Sequence, residues 1–169
     1  MEEKKVKIPV GIKKAAVLMI LRAEQKYLLL KRYKEPNQGL YTPVGGKIDP
    51  FETPAAAAIR ETREETGIEV SDIHYAGTLV ETAPTKYNWI TFVYWANIDW
   101  RPAPDCPEGE LAWIEEIDLQ ELPTPPTDWH IYQYIQQGKP FNLMAELDEN
   151  LHLFRMEEVL EGKVLVGGV

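Results

Sequence analysis

Cysteine is nearly absent from this chain: one residue, Cys106, in 169. Without a second thiol no internal disulfide can form, and the composition suits a reducing, cytoplasmic setting. Long apolar runs are missing as well. Ala15–Leu21 falls far short of the roughly 18 residues that cross a bilayer and reads instead as a buried strand. The N-terminal MEEKKVKIPVGIKK carries no signal-type cleavage pattern, so neither export nor a membrane partner is expected. Positive charge is scarce: 18 Lys and Arg stand against 27 Asp and Glu, a net charge of −9. A broad nucleic-acid surface needs clustered cations, so no nucleic-acid partner is expected. A small anionic substrate stays open, because a metal held by carboxylates reverses the local sign of charge. Internal repeats are absent too. With 44% hydrophobic and 27% charged residues, the expectation is one globular domain over 1–169. Its ends, 1–12 and 161–169, read as flexible.

What the chain does have is concentrated between Gly46 and Ile68. Thr53 is placed to cap a helix, Pro54 suits the first helical position, and Ala55–Ala58 favours helix. Gly67 is placed for the left-handed residue that ends it. On this helix Ala55, Ala58, Ile59, Thr62 and Thr66 form the expected core stripe. Glu61, Glu64 and Glu65 stand at i, i+3 and i+4 and share one face. Three crowded carboxylates weaken a helix unless something positive sits among them. A hard divalent cation with oxygen ligands answers that need.

Around the helix the pattern is that of a mixed sheet with at least two helices, an α/β or α+β domain. Strands are expected at 13–22 and 27–32, joined by a turn at Ala23–Lys26, then near 41–44, at 75–83 and 89–99, and at 111–114. Leu122–Thr127 is a stiff proline connector. Asp128–Gln137 is an amphipathic helix with Ile131, Tyr134 and Ile135 inward, ended by Gly138. Residues 141–147 and 151–156 suggest a last hairpin.

Gly46, Glu52, Arg60, Glu61, Glu64, Glu65, Gly67 and Ile68 fall in the register of the Nudix signature, and on these residues the chain resembles the Nudix hydrolases. Thr62 departs from the pattern, which has an aliphatic residue there. Its methyl can still pack, so the change touches the core more than the chemistry. The resemblance implies a mixed β-sheet sandwiched between α-helices, with the signature forming loop–helix–loop. It implies Mg2+, with Mn2+ as an alternative, held by Gly46, Glu61, Glu64 and Glu65. Arg60 would hold the carboxylates in place by a salt bridge, and Glu52 would brace the loop. Family members differ in their catalytic base. Some use a signature glutamate such as Glu61 or Glu64, others a carboxylate from a later loop, for which Glu108 and Glu110 are candidates. Glu110 stands three residues before Trp113, as in many members.

The resemblance also bears on substrate. Lys34–Asp49 and Trp113–Tyr132 are similar to the branch that cleaves oxidised purine nucleoside triphosphates such as 8-oxo-dGTP. Thr42 falls where vertebrate members carry a base-contacting Asn. Lys47 would meet a phosphate, or is a solvated strand end. Asp128 and Trp129 would contact a base, or are a helix cap and a core aromatic. The expected activity is cleavage of a nucleoside triphosphate to monophosphate and pyrophosphate. Hydrolysis of ADP-ribose, another nucleotide sugar or a dinucleoside polyphosphate is the alternative, for which Pro84 is a weak pointer. A nucleotide-binding module without catalysis is a third. The protein is expected as a monomer or homodimer.

Overall fold

In a computed structural model the described residues are 14–84 and 88–168. The expected arm 1–12 therefore lies outside them, as do residues 85–87 of the loop expected after Pro84. Eleven strands form one mixed sheet, with helix α1 (Pro54–Thr66) on one face and helix α2 (Asp128–Gln136) on the other. The central strands β1 (Lys14–Ala23) and β2 (Lys26–Arg32) are apolar on both sides because both of their faces are covered. Val17, Met19, Leu21, Leu28 and Leu30 pack with Ala57 and Ala58 of α1. Ile20, Tyr27 and Leu29 pack with Ile131 and Tyr132 of α2. The turn between them is tight: Glu24 and Gln25 have φ of 49° and 62°, the two left-handed residues of a primed hairpin turn.

β1 and β2 stay paired only next to that turn, from Leu21↔Leu28 to Ala23↔Lys26. Further along they part. The free edge of β1 is taken by β4 (Val44–Lys47), and that of β2 by the short β3 (Tyr41–Thr42). On its other edge β1 runs parallel to β6 (Trp89–Asn97), which pairs with β5 (His74–Thr82). β5 in turn runs parallel to β9 (Phe141–Leu147). β8 (Gly109–Glu115) and the short β7 (Asp105–Cys106) complete the far side beyond β2. A 3-10 turn at Glu116–Glu121 leads toward α2.

Helix α1 is built as its sequence dictates. Thr53 Oγ1 accepts the Ala56 N–H at 3.2 Å, and Gly67, at φ 72°, closes the last turn. Thr53→Ala should remove about 1 kcal/mol of stability. The check is a lower urea midpoint at unchanged slope. The core stripe differs from expectation in one respect: Ala57 is fully buried, while Ile59 is only partly covered. Thr62 is fully buried and turns its hydroxyl back to the Ala58 carbonyl at 2.7 Å. The polar group at the aliphatic signature position is thus satisfied within its own helix.

The C-terminal tail corrects the expectation of fraying. Lys163–Val166 form β11, paired with β10 (Leu153–Glu158), and Leu165 and Val166 rest against the main core. Glu158 ties this end down. Its buried carboxylate accepts backbone N–H groups from Asn142 at 3.1 Å, Leu160 at 2.8 Å and Glu161 at 2.7 Å. A glutamate in an apparent turn gives no hint of that role until β9 is known to lie beside it.

Candidate active site

One guanidinium organises the loop before α1. Arg60 donates from Nε and Nη2 to the two oxygens of Glu52, at 2.7 and 2.9 Å. Its Nη1 reaches Glu61 at 2.8 Å and Glu64 at 3.2 Å, and Nη2 also donates to the Lys47 carbonyl at 3.0 Å. The forked pair with Glu52 clamps loop to helix, and Arg suits this because its donors are fixed in a plane. The Arg60 hydrogen bonds, with the Asp49 N–H, hold the Glu52 carboxyl down at about 2.

The three signature glutamates end up in different surroundings. Glu64 is exposed, with 54% of its side chain open to solvent. Glu61 is partly buried, and desolvation raises its carboxyl against the pull of Arg60. Glu65 is buried at 9% exposure, although it stands off the expected core stripe. Its Oε2 accepts the Gly45 N–H at 3.1 Å. Burial pushes this carboxyl up to about 7, and the charges of Glu61 and Glu108 add to the effect. A desolvated, unpaired carboxylate beside two others is a place where a cation is strongly favoured.

These groups line one cavity of about 790 Å³, set where β1 and β2 part. On the α1 face of the sheet it is lined by Gly45, Gly46, Glu61, Glu65, Glu108 and Arg32, here termed the outer compartment, and the lining on the opposite face the inner one. Glycine is required at Gly45 by the neighbouring backbone, and a side chain on Gly46 would push the Glu61 carboxylate aside. A Cβ on Gly46 would stand 2.4 Å from the Glu61 carboxyl carbon, and one on Gly45 only 2.0 Å from the Val17 carbonyl oxygen. The inner compartment lies on the α2 face of the sheet. Leu18, Leu79, Trp89 and Thr91 form its floor, and Glu81 and Asp128 stand over it.

Of the residues singled out from sequence, Gly46, Glu61, Glu65, Lys47, Thr42 and Asp128 line this cavity. Arg60 stands behind Glu61 rather than on the wall, and Glu64 is outside it on the rim of the helix. Glu110 is exposed on β8 opposite Lys31, while Glu108 in the preceding turn faces the cavity. Alternation turns Glu110 out between the inward Gly109 and Leu111, whereas Glu108 precedes β8 and belongs to the turn after β7. Trp129 packs against the main core and is not on the cavity wall. Arg32, Glu81, Trp89 and Lys14 were not anticipated. Among the described residues no three His, Cys, Asp or Glu side chains are gathered closely enough to cage a metal ion.

A family model, the NUDIX domain, matches residues 12–137. The chain belongs to the Nudix family. An uncharacterised Nudix hydrolase of Bacillus subtilis, YvcI, is 30% identical over 125 residues, which are 71% of this chain and 77% of that one. A NAD-capped RNA hydrolase, NudC of Vibrio atlanticus, is 36% identical over 107 residues, 63% of this chain. The match spans only 38% of NudC. Among solved structures, the MutT protein of Bacillus halodurans superposes with a TM-score of 0.75 at 22% identity, over 86% of this chain and 97% of that one. The Nudix domain of Shewanella oneidensis NrtR, complexed with ADP ribose, gives 0.65 at 18% identity, over 78% and 90%. The mixed sheet between two helices is therefore the Nudix fold. Nudix members are hydrolases acting on pyrophosphate bonds of nucleoside diphosphate derivatives, and this chain is an enzyme of that kind.

Proposed function

We propose that this Nudix hydrolase is a divalent-cation-dependent pyrophosphohydrolase that cleaves a nucleoside triphosphate to monophosphate and pyrophosphate. The observation that carries the reading is that the cavity is lined differently from the two faces of the sheet. A carboxylate-lined outer compartment adjoins an inner one with an apolar and aromatic floor. A phosphate chain and a nucleobase need these two environments side by side.

Nudix members generally use divalent metals, and the residues here fit Mg2+. Mg2+ is seldom caged by protein alone; it takes one or two carboxylates and completes its shell with water and substrate phosphates. Glu61 and Glu65 are two such carboxylates on the cavity wall. Glu64 would join from the rim by giving up Arg60. Mn2+ satisfies the same donors. When bound, the cation neutralises charge that builds on the phosphoryl oxygens as the P–O bond breaks.

The chain's own residues supply the rest. Arg60, gripping Glu52, keeps the Glu61 carboxylate from turning away. Arg32 and Lys47 stand on the wall as phosphate partners in an otherwise acidic cavity. Glu108 is better placed than Glu110 to orient or deprotonate a water, since it faces Glu65 across the outer compartment.

The test is a panel of canonical and oxidised nucleoside triphosphates, ADP-ribose and dinucleoside polyphosphates, incubated with Mg2+ and resolved into products. Monophosphate with pyrophosphate, fastest for a triphosphate, is the expected outcome. AMP and ribose 5-phosphate from ADP-ribose, with triphosphates untouched, would replace this substrate reading with the one suggested by the ligand of the NrtR domain. Tight nucleotide binding without turnover would point to a non-catalytic module.

A further inference from the structure

Asp128 stands apart among the residues of the inner compartment. It opens α2, lines the cavity and is only 4% exposed. Its Oδ2 is buried with no hydrogen-bond partner. Buried polar atoms are nearly always paired, so an orphan carboxyl oxygen beside a cavity is a group that the fold has not used. Rotation about its last torsion, which is soft for Asp, exchanges the two oxygens at the cavity wall.

Glu81 faces it from β5. It lines the same cavity, and its charge acts directly on Asp128. Cross-strand register places it in one row with two other lining residues: Lys14 on β1 pairs with Trp89 on β6, and Trp89 pairs with Glu81 on β5. The Lys14 ammonium lies 4.7 Å from the centre of the Trp89 ring. The row presents an aromatic surface with a carboxyl at its end. The other titratable neighbour is Tyr132 on α2, whose buried hydroxyl lies near Asp128 and Tyr27 and also lacks a partner.

We infer that Glu81 is a specificity-determining residue of the inner compartment, pairing with Asp128 to hydrogen-bond one edge of the bound nucleobase. The inference rests on the nucleotide reading given above. Two carboxyl groups that feel each other in a desolvated wall do not both ionise. The pair keeps one proton, so it offers one O–H donor beside several acceptor lone pairs. A guanine-type edge matches that set: its carbonyl accepts the O–H, and its ring N–H and amino group donate to the carboxylate. A purine without exocyclic groups offers no donor at all. Leu18, Leu79 and the Trp89 ring take the flat face of either base without distinguishing them.

The test compares calorimetric binding of guanosine 5′-monophosphate and purine riboside 5′-monophosphate to the metal-free protein. The native protein should prefer the guanine nucleotide by about 10- to 100-fold, the effect of hydrogen bonds to buried or charged groups. Glu81→Gln and Asp128→Asn should each lose most of that preference while leaving the unsubstituted purine unchanged. The double variant should lose little more than either alone, because the two act as one pair. Glu81→Ala serves as a second variant if Gln is poorly folded by thermal melt. Full preference retained in both Glu81 variants would overturn the inference, and so would equal weakening of both nucleotides in a folded variant. A protein with the base preference but no turnover of any nucleotide in Mg2+ would sink the hydrolysis reading and still support the pair.

Discussion

Glu65→Gln is expected to abolish turnover and, without metal, to make the protein more stable at pH 8. The two effects have one cause. The Glu65 carboxyl is raised from 4.5 to about 7 because burial disfavours its charged form. The folded state therefore binds this proton more tightly than the unfolded chain does. Where the folded state holds more protons, stability falls as pH rises. The decline starts near pH 4.5 and levels off above about pH 7, and ionised Glu65 then costs roughly 3 kcal/mol. Glutamine keeps the shape and can still accept the Gly45 N–H, but carries no charge to desolvate. Denaturant melts of both proteins in EDTA at pH 5 and pH 8 should show the gap opening only at the higher pH. Mg2+ should then stabilise the native protein more than the variant. In kcat the loss should exceed the 10–100-fold that outer partners of a metal site command. A variant that hydrolyses normally, or is no more stable at pH 8, would remove Glu65 from the metal site.

Arg60→Ala should be the next most damaging change. One guanidinium holds Glu52, Glu61 and Glu64 and also the Lys47 carbonyl, so its loss frees the loop and three acids at once. A fall of about 10- to 100-fold in kcat/KM is expected, and Arg60→Lys should not restore it, because one ammonium cannot make the forked contact. The pH response runs opposite to that of Glu65. Glu52 sits at about 2 because Arg60 holds it ionised. Its contribution is present above about pH 4.5 and is lost as pH falls toward 2. Without Arg60, Glu52 keeps only the Asp49 N–H to hold it down and titrates higher, so the acid limb of the stability curve should move to higher pH. Coincident acid limbs in the two proteins would show that the clamp does not stabilise the fold.

The sequence was most readable where one local segment carries all of the information. Thr53, Pro54 and Gly67 bound α1 as capping chemistry demands, and the offsets from Gly46 to Ile68 identify the family. The reading failed where the answer depends on a distant element. Helical periodicity puts Glu65 off the core stripe, on one face with Glu61 and Glu64, but the β4 backbone at Gly45 closes over it alone. Glu108 and Glu110 are two residues apart and cannot be separated until the start of β8 is known, which leaves Glu108 in the turn before the strand and Glu110 on its exposed side. Lys14, Trp89 and Glu81 are scattered along the chain, and only the pairing of β6 with β1 on one edge and with β5 on the other brings them into one row. Trp129 reads as a base contact or a core aromatic, and α2 turns it toward the core.

The parting of β1 and β2 has a consequence for how such an enzyme can be altered. The two halves of the cavity are furnished from opposite faces of the sheet, α1 with β4 on one side and β5, β6 and the start of α2 on the other. Substitutions in one half share few neighbours with those in the other, and changes without shared partners combine close to additively. Recognition can then be redrawn at Glu81, Trp89 or Asp128 while the phosphate-cleaving half is inherited intact.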